Sequence, residues 1–315
     1  MSRLYKRNRD LSAPLERVDL VVETLEEGRF DAFLARHIPW RSRTGVQALI
    51  DEGRALLNGE RRKPSTRVRA GDRVTVEVVR APRADAPPPP SLRILHEDEY
   101  LFALDKEAGV VVHPVGAYQE NTLLQELHRR NRGPELPKLA HRLDQQTSGV
   151  LLVARNDATR RAFSAMLERG EAHKRYEALV LGRVEADALE IDEPIGRVGD
   201  SRILMQVDRV GGKAARTELR VVERFAHATE VSLRIHTGRT HQIRVHCAAL
   251  GHPLLCDHLY GDGLPLGDPP VAERFLLHAR SVEFLHPFTG RSLAIEAPLP
   301  AAFLRAAEVL RARVE

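Results

Sequence analysis

The stretch His141-Arg142-Leu143-Asp144-Gln145-Gln146-Thr147-Ser148-Gly149-Val150-Leu151-Leu152-Val153 runs from a polar turn into an apolar segment. Thr147, Ser148 and Gly149 suit a tight turn closed by local side-chain hydrogen bonds. The four apolar residues after them are too few for an ordinary helix and read as a buried strand. Downstream, Asp157 is placed to cap an amphipathic helix carrying Phe163, Met166 and Leu167, closed by Gly170. Strand-like segments surround this unit at 92–95, 101–104, 110–112, 176–181, 217–225 and 229–235. A helix is expected over 240–250, with Thr240 as its N-cap and Gly251 at its end. A doubly wound parallel sheet would need regular strand–helix alternation. Several strands in succession with few helices between them predict an α+β fold with a mixed, largely antiparallel sheet.

At 315 residues the chain suits two domains. Its 43% hydrophobic and 29% charged residues exclude wholesale disorder. No stretch approaches the ~18 apolar residues of a membrane span. Residues 1–20 are charged and lack an apolar core, so no secretory signal is expected. Two cysteines exclude a disulfide scaffold and suit a reducing cytoplasm. The clearest internal break is Pro87-Pro88-Pro89-Pro90, which favours polyproline II. Residues 81–91 therefore read as a semi-rigid linker between a small domain, 15–80, and a large one, 92–315.

The small domain has a legible plan. Asp31 can cap a short helix carrying Phe33 and Leu34, which must stop before Pro39. A second helix shows Val46, Leu49 and Ile50 on one face and ends at Gly53. Asn58-Gly59 is a strong hairpin-turn signal. Val74, Val76 and Val78 alternate with polar residues, as in a half-buried strand.

The net charge of +4 is unevenly distributed: residues 1–80 hold 17 Lys and Arg against 12 Asp and Glu, and the other 235 hold 31 against 32. Arg29, Arg41, Arg43, Arg61, Arg62, Lys63 and Arg67 are the candidate phosphate contacts, since guanidinium suits bidentate contact with phosphate oxygens. Composition alone admits a solvated arginine-rich surface equally well.

Three segments could carry chemistry. Asp144, at the mouth of a buried strand, could act as nucleophile or general base, or could simply close an Asp turn beside a surface arginine. In Gly238-Arg239-Thr240-His241-Gln242-Ile243-Arg244-Val245-His246, Arg244 lies on a partly apolar face and needs a carboxylate partner. Asp144 is the candidate, and the pair would hold the aspartate ionised. Tyr176, in Lys174-Arg175-Tyr176, could offer a stacking surface to a base or could be a core tyrosine. The cluster His241, His246, Cys247, His252, Cys256 and His258 lacks zinc-finger spacing, so no metal is expected.

Residues 28–78, with Leu57-Asn58-Gly59 and Ala70-Gly71-Asp72-Arg73-Val74, resemble the S4 RNA-binding domain. The three segments above, in the chain order 141–152, 174–178 and 238–244, resemble the RluA-type pseudouridine synthases over about 92–300, supported by Asp105-Lys106-x-Ala108-Gly109, Gly251-His252-Pro253 with Asp257, and Leu277-His278-Ala279. Two residues depart from the pattern: Glu107 stands where that family usually has Pro, and Cys256 where Gly is usual.

The resemblance implies isomerisation of uridine to pseudouridine within RNA, without cofactor or metal. Asp144, Tyr176 and Arg244 would be catalytic. Arg142 would fill the space vacated by the flipped base, and Arg239 would contact phosphate. The implied partner is large-subunit ribosomal RNA, with transfer RNA as the alternative; a monomer is expected. A non-catalytic RNA-binding protein is the contrasting reading. If the arginines of the small domain grip RNA, removing residues 1–80 will weaken binding and flatten its dependence on salt, measured by titration at several KCl concentrations. An unchanged salt slope would refute that role.

Overall fold

The computed structural model describes residues 10–12, 17–38, 41–77, 88–114, 120–199, 201, 203–261, 263 and 270–312. It divides into two compact units: residues 1–90 with 113–136, and residues 91–112 with 137–315. The segment 113–136, expected in the large domain, thus groups with the N-terminal unit.

In the first unit, β1 (Arg17–Val21), β2 (Gly28–Arg29), α1 (Phe30–His37), α2 (Arg43–Asp51), β3 (Ala55–Leu57), β4 (Arg67–Val68) and β5 (Arg73–Glu77) follow one another. The strands form a β1-β5-β3 sheet and a small β2-β4 pair. Alternation buries Val18 and Leu20 from β1 and Val74 and Val76 from β5, against Phe33 and Leu34 of α1 and Val46, Leu49 and Ile50 of α2. Asn58 and Gly59 both have positive φ, 53° and 81°. Leu57 and Glu60 exchange both backbone hydrogen bonds around them, which makes the expected two-residue turn.

Asp31 does not cap α1. Arg29 holds the N-cap position, and Asp31 lies inside the first turn. There its buried carboxylate accepts from both Nε and Nη2 of Arg29, at 3.0 and 2.9 Å. The cap of α2 is Ser42, whose Oγ accepts from the Gly45 N–H, and Gly53 beyond its end has φ 73°. Pro39, Val78 and residues 81–87 of the expected linker lie outside the described residues.

The second unit contains β6 (Arg93–Glu97) and β7 (Leu101–Lys106), while α3 (Leu123–Arg130) belongs to the first. The second unit resumes with β8 (Lys138–Leu139), β9 (Ser148–Ala154), α4 (Asp157–Glu168), β10 (Ala172–Leu181), β11 (Ala188–Asp192), β12 (Ile195–Arg197), β13 (Met205–Val207), β14 (Arg216–Arg224) and β15 (Ala228–Ile235). After α5 (Gln242–Ala249) come β16 (Leu277–Leu285), β17 (Ser292–Glu296) and α6 (Ala301–Ala312). The main sheet has the order β11-β14-β15-β10-β16-β9-β7-β6, with β17 also on β16 and β8 on β9. Its ladders are antiparallel except β16 with β9, so the fold is α+β with a mixed, mostly antiparallel sheet.

Every residue of β9 is buried, as suits a strand covered on both faces. Val150, Leu152 and Ala154 pack with Phe163, Met166 and Leu167 of α4. Farther along the sheet, Leu179 and Ala228 pack with Phe303, Ala306 and Leu310 of α6. No helix among the described residues is long and apolar enough to cross a membrane.

Three local expectations are corrected. Residues 110–112 form no strand. Asn156, not Asp157, caps α4: its side chain accepts from the Thr159 N–H, which frees Asp157 to pair with Arg160 and Arg161. Thr240 is not the cap of α5; His241 is, in a left-handed conformation with φ 56°.

Gly149 is where β9 meets β16. Its φ is 104°, and a Cβ there would lie 2.2 Å from the Ala279 carbonyl oxygen. Gly149→Ala is therefore expected to cost roughly 1–3 kcal/mol in backbone strain alone, with the collision adding to it. Thermal denaturation would show this as a clearly lowered midpoint; an unshifted one would contradict the packing.

Candidate active site

The turn before β9 is pinned from below. Lys106, at the end of β7 and 1% exposed, donates from Nζ to the carbonyls of Glu107, Gln145 and Thr147 at 2.9, 2.9 and 2.7 Å. Burial pushes this lysine down to about 7, with Asp144 acting in the opposite direction. Three carbonyl acceptors use all three protons of an ammonium, whereas a neutral amine could satisfy only two, so the geometry favours the charged form. Gly109 adds two bonds to Gln145, one from its N–H and one to its carbonyl. The Thr147 N–H closes the turn on the Asp144 carbonyl at 3.1 Å. His141 anchors the other side: its Nε2 accepts from the Leu152 N–H at 3.0 Å. Burial pushes that imidazole down to about 4, so it is neutral and serves the backbone.

Asp144 is thus held on a rigid turn with its carboxylate 23% exposed. The expected pair with Arg244 is looser than anticipated. Arg244 Nη1 stands 3.7 Å from Asp144 Oδ2, beyond hydrogen-bond distance. The guanidinium instead grips Asp257, with Nε to Oδ2 and Nη2 to Oδ1, both at 2.7 Å. Asp257 is wholly buried and also accepts from the N–H groups of Leu259 and Tyr260. The rings of Phe275 and Tyr260 flank the guanidinium carbon at 4.4 and 4.8 Å. Burial opposes the Arg244 charge, but Asp257 and then Asp144 outweigh it and hold the group above its ordinary value. Asp257 had been visible only as part of a resemblance. Helical spacing told that Arg244 needs a carboxylate but not which one.

The α5 segment is fixed to the sheet by side chains that reading by motif left unexplained. The Gln242 amide uses both ends: Oε1 accepts from Thr237 Oγ1 and the Arg239 N–H, and Nε2 donates to the Arg216 carbonyl and Thr217 Oγ1. His246 bridges Thr217 Oγ1 and the Glu193 carbonyl, each at 2.9 Å. Its ring is therefore already engaged.

Tyr176 lies on β10, opposite Leu233 of β15 and Ala279 of β16. The β10–β16 ladder slips between Arg175 and Tyr176, which leaves Arg280 unpaired and re-aims the tyrosine. Tyr176 is buried, and burial together with the Asp144 carboxylate pushes its hydroxyl well above the usual phenol range. Lys174, two residues away on the same face, is pushed down to about 8 by burial and by Arg239. The structure thus brings Asp144, Tyr176 and Arg244 into one electrostatic neighbourhood.

Arg142 is exposed and makes no side-chain ion pair or hydrogen bond among the described residues. Arg239 is exposed, with Nε bound to the Ala214 carbonyl at 2.9 Å. In the first unit, Arg29 and Arg67 are cross-strand partners in the β2–β4 pair. Arg61 covers Gly53, where a Cβ would meet its Nε at 2.1 Å, and Arg62 pairs with Glu60. Lys63 and Arg43 are exposed, Arg43 as the first residue of α2, and Arg41 is half-buried just before it. Among the described residues, no group of three or more His, Cys, Asp or Glu could hold a metal ion.

Comparison with known proteins matches both units. The RNA pseudouridylate synthase family matches residues 100–249, and the S4 domain matches 28–74. A ribosomal large subunit pseudouridine synthase D from Xanthomonas campestris is 38% identical, over 95% of each chain. The uncharacterized RNA pseudouridine synthase YlyB of Bacillus subtilis is 36% identical over 94% of this chain and 99% of its own. Among solved structures, human RNA pseudouridylate synthase domain containing 1 superposes with a TM-score of 0.55 at 28% identity, covering 71% of this chain and 96% of that one. With that identity sustained over nearly its whole length, the chain belongs to the RluA-type RNA pseudouridine synthases that carry an S4 domain.

Proposed function

We propose that this enzyme converts specific uridines to pseudouridine in large-subunit ribosomal RNA, with Asp144 as the catalytic carboxylate. The observation that carries the reading is a carboxylate on a rigid turn with an arginine 3.7 Å away and a neutral tyrosine beside it. The substrate assignment is supported by the similarity to ribosomal large subunit pseudouridine synthase D proteins over most of the chain.

The reaction breaks the N1–C1′ bond, turns the uracil and joins C5 to C1′. One proton leaves C5 and one is taken up at N1, so no oxidant, metal or leaving group is needed. Asp144 serves either as nucleophile at the sugar or as the base that takes a sugar proton. Arg244, braced by Asp257, holds positive charge beside it without occupying its lone pairs. Tyr176 would stack on the uracil as a neutral phenol. A uridine in folded RNA must first be extruded, at a cost of a few kcal/mol. Arg142 is free to enter the space it leaves, and Arg239 to contact phosphate.

The first unit supplies the RNA grip. Arg29 is splinted by buried Asp31, so its guanidinium is held ready for phosphate beside Arg67. We assign residues 15–80 to that module, 81–91 to the linker and 92–315 to catalysis. Cys247 and Cys256 are both buried and neither is in a disulfide, which suits a reducing cytoplasm.

Asp144→Asn should abolish pseudouridine formation, measured by C5 tritium release from RNA, while RNA binding stays near wild type; retained turnover would remove Asp144 from the mechanism. Asp257→Asn leaves a buried guanidinium half-paired. It should lower stability by roughly 3–5 kcal/mol in urea denaturation and reduce turnover of the protein that remains folded.

A further inference from the structure

His241 is a non-glycine residue held at φ 56° at the entrance to α5, a conformation that glycine or asparagine adopts more comfortably. Its side chain is only 13% exposed and lies between two partners. Nδ1 is 2.6 Å from Tyr260 Oη, and Nε2 is 3.8 Å from Asp144 Oδ1. Tyr260 Oη in turn accepts the N–H of Met205, at 3.0 Å. A carboxylate can only accept, so the arrangement that suits both neighbours has Tyr260 donating to His241 Nδ1. A neutral imidazole then carries its own proton on Nε2, the nitrogen that faces Asp144.

We propose that His241 is a positioning residue for the catalytic carboxylate, fixed by Tyr260 as the Nε2–H tautomer with that N–H aimed at Asp144 Oδ1 while Arg244 faces Oδ2. Burial favours the neutral ring, with Arg244 and Arg142 acting the same way against the pull of Asp144 and Asp257. At 3.8 and 3.7 Å the imidazole and the guanidinium both stand just outside bonding distance, so the carboxylate is oriented but its lone pairs remain available. A shift of less than an ångström as RNA binds would make both contacts bonds. The strained backbone is retained because the ring is needed there. The inference rests on the reading of Asp144 as catalytic.

The test compares full-length variants on an unmodified large-subunit ribosomal RNA transcript, with C5 tritium release as the assay. His241→Asn accepts the left-handed backbone and leaves an amide near Tyr260, but places no donor at Asp144. His241→Gln can reach the position of Nε2. The expected result is a fall in kcat of about 10-fold or more for His241→Asn with KM unchanged, and partial recovery in His241→Gln. Tyr260→Phe should lower kcat in the same direction, and adding it to His241→Asn should cost little more, since both act through one contact. Wild-type kcat in His241→Asn, or a loss confined to KM, overturns the proposal. Should His241→Asn melt well below the wild type, Tyr260→Phe decides alone: wild-type kcat there overturns it too. Asp144→Asn run alongside separates the two levels. Turnover surviving in that variant removes the catalytic reading itself, whereas an inactive Asp144→Asn with an unaffected His241→Asn removes only the role of His241.

Discussion

The bidentate bond between Arg244 and Asp257 is the constraint around which the catalytic unit is arranged. A buried guanidinium is tolerable only when its charge and its N–H groups are answered. Asp257 answers two of those donors at 2.7 Å, and Phe275 and Tyr260 cover its faces. The same carboxylate takes the N–H groups of Leu259 and Tyr260, so the turn that presents Tyr260 is built on the ion pair. Helix α5, the 257–260 turn and the segment around Phe275 therefore meet at one charge. What reaches Asp144 is the remainder of that charge, on Nη1.

This division of labour explains which parts of the site were legible in the sequence. Asp144, Tyr176 and Arg244 were visible because the motifs that carry the resemblance keep polar residues in a fixed order along the chain. The partner of Arg244 was not, because neither Asp144 nor Asp257, 13 residues downstream, stands at helical spacing from it, and only the fold ranks them. The sheet class followed from counting strands against helices. Strand β16 was not read, since its first residues, Leu277, His278 and Ala279, are all buried and do not alternate. Cap assignments slipped by one residue at α4 because Asn156 and Asp157 are both competent caps, and the backbone chose the asparagine. At α5 the slip has another origin: Thr240 is a good cap by propensity, but a strained His241 occupies the position.

The first unit shows the opposite balance. Phe33, Leu34, Val46, Leu49, Ile50, Val74 and Val76 of its core were readable from alternation and helical spacing, because they do nothing but fill it, while Val18 and Leu20 of β1 were not read. Its arginines were readable only as a number. The structure separates them by what restrains them: Arg29 by a buried aspartate, Arg61 by the bare backbone of Gly53, Arg62 by an exposed glutamate. Of these, the splint on Arg29 fixes a direction as well as a charge.

The single parallel ladder has a consequence in time. Ser148 and His278 are neighbours in space but 130 residues apart in the chain, joined also by a Ser148 Oγ to His278 Nδ1 contact at 2.9 Å. At a synthesis rate of roughly 5–20 residues per second, β9 waits about 7–26 seconds for β16 to be made. Until then the strand behind Asp144 lacks one neighbour, and the turn that carries the carboxylate is braced only by β7 and by His141. The first unit, complete at residue 136, is therefore synthesised well before the sheet behind Asp144 can close.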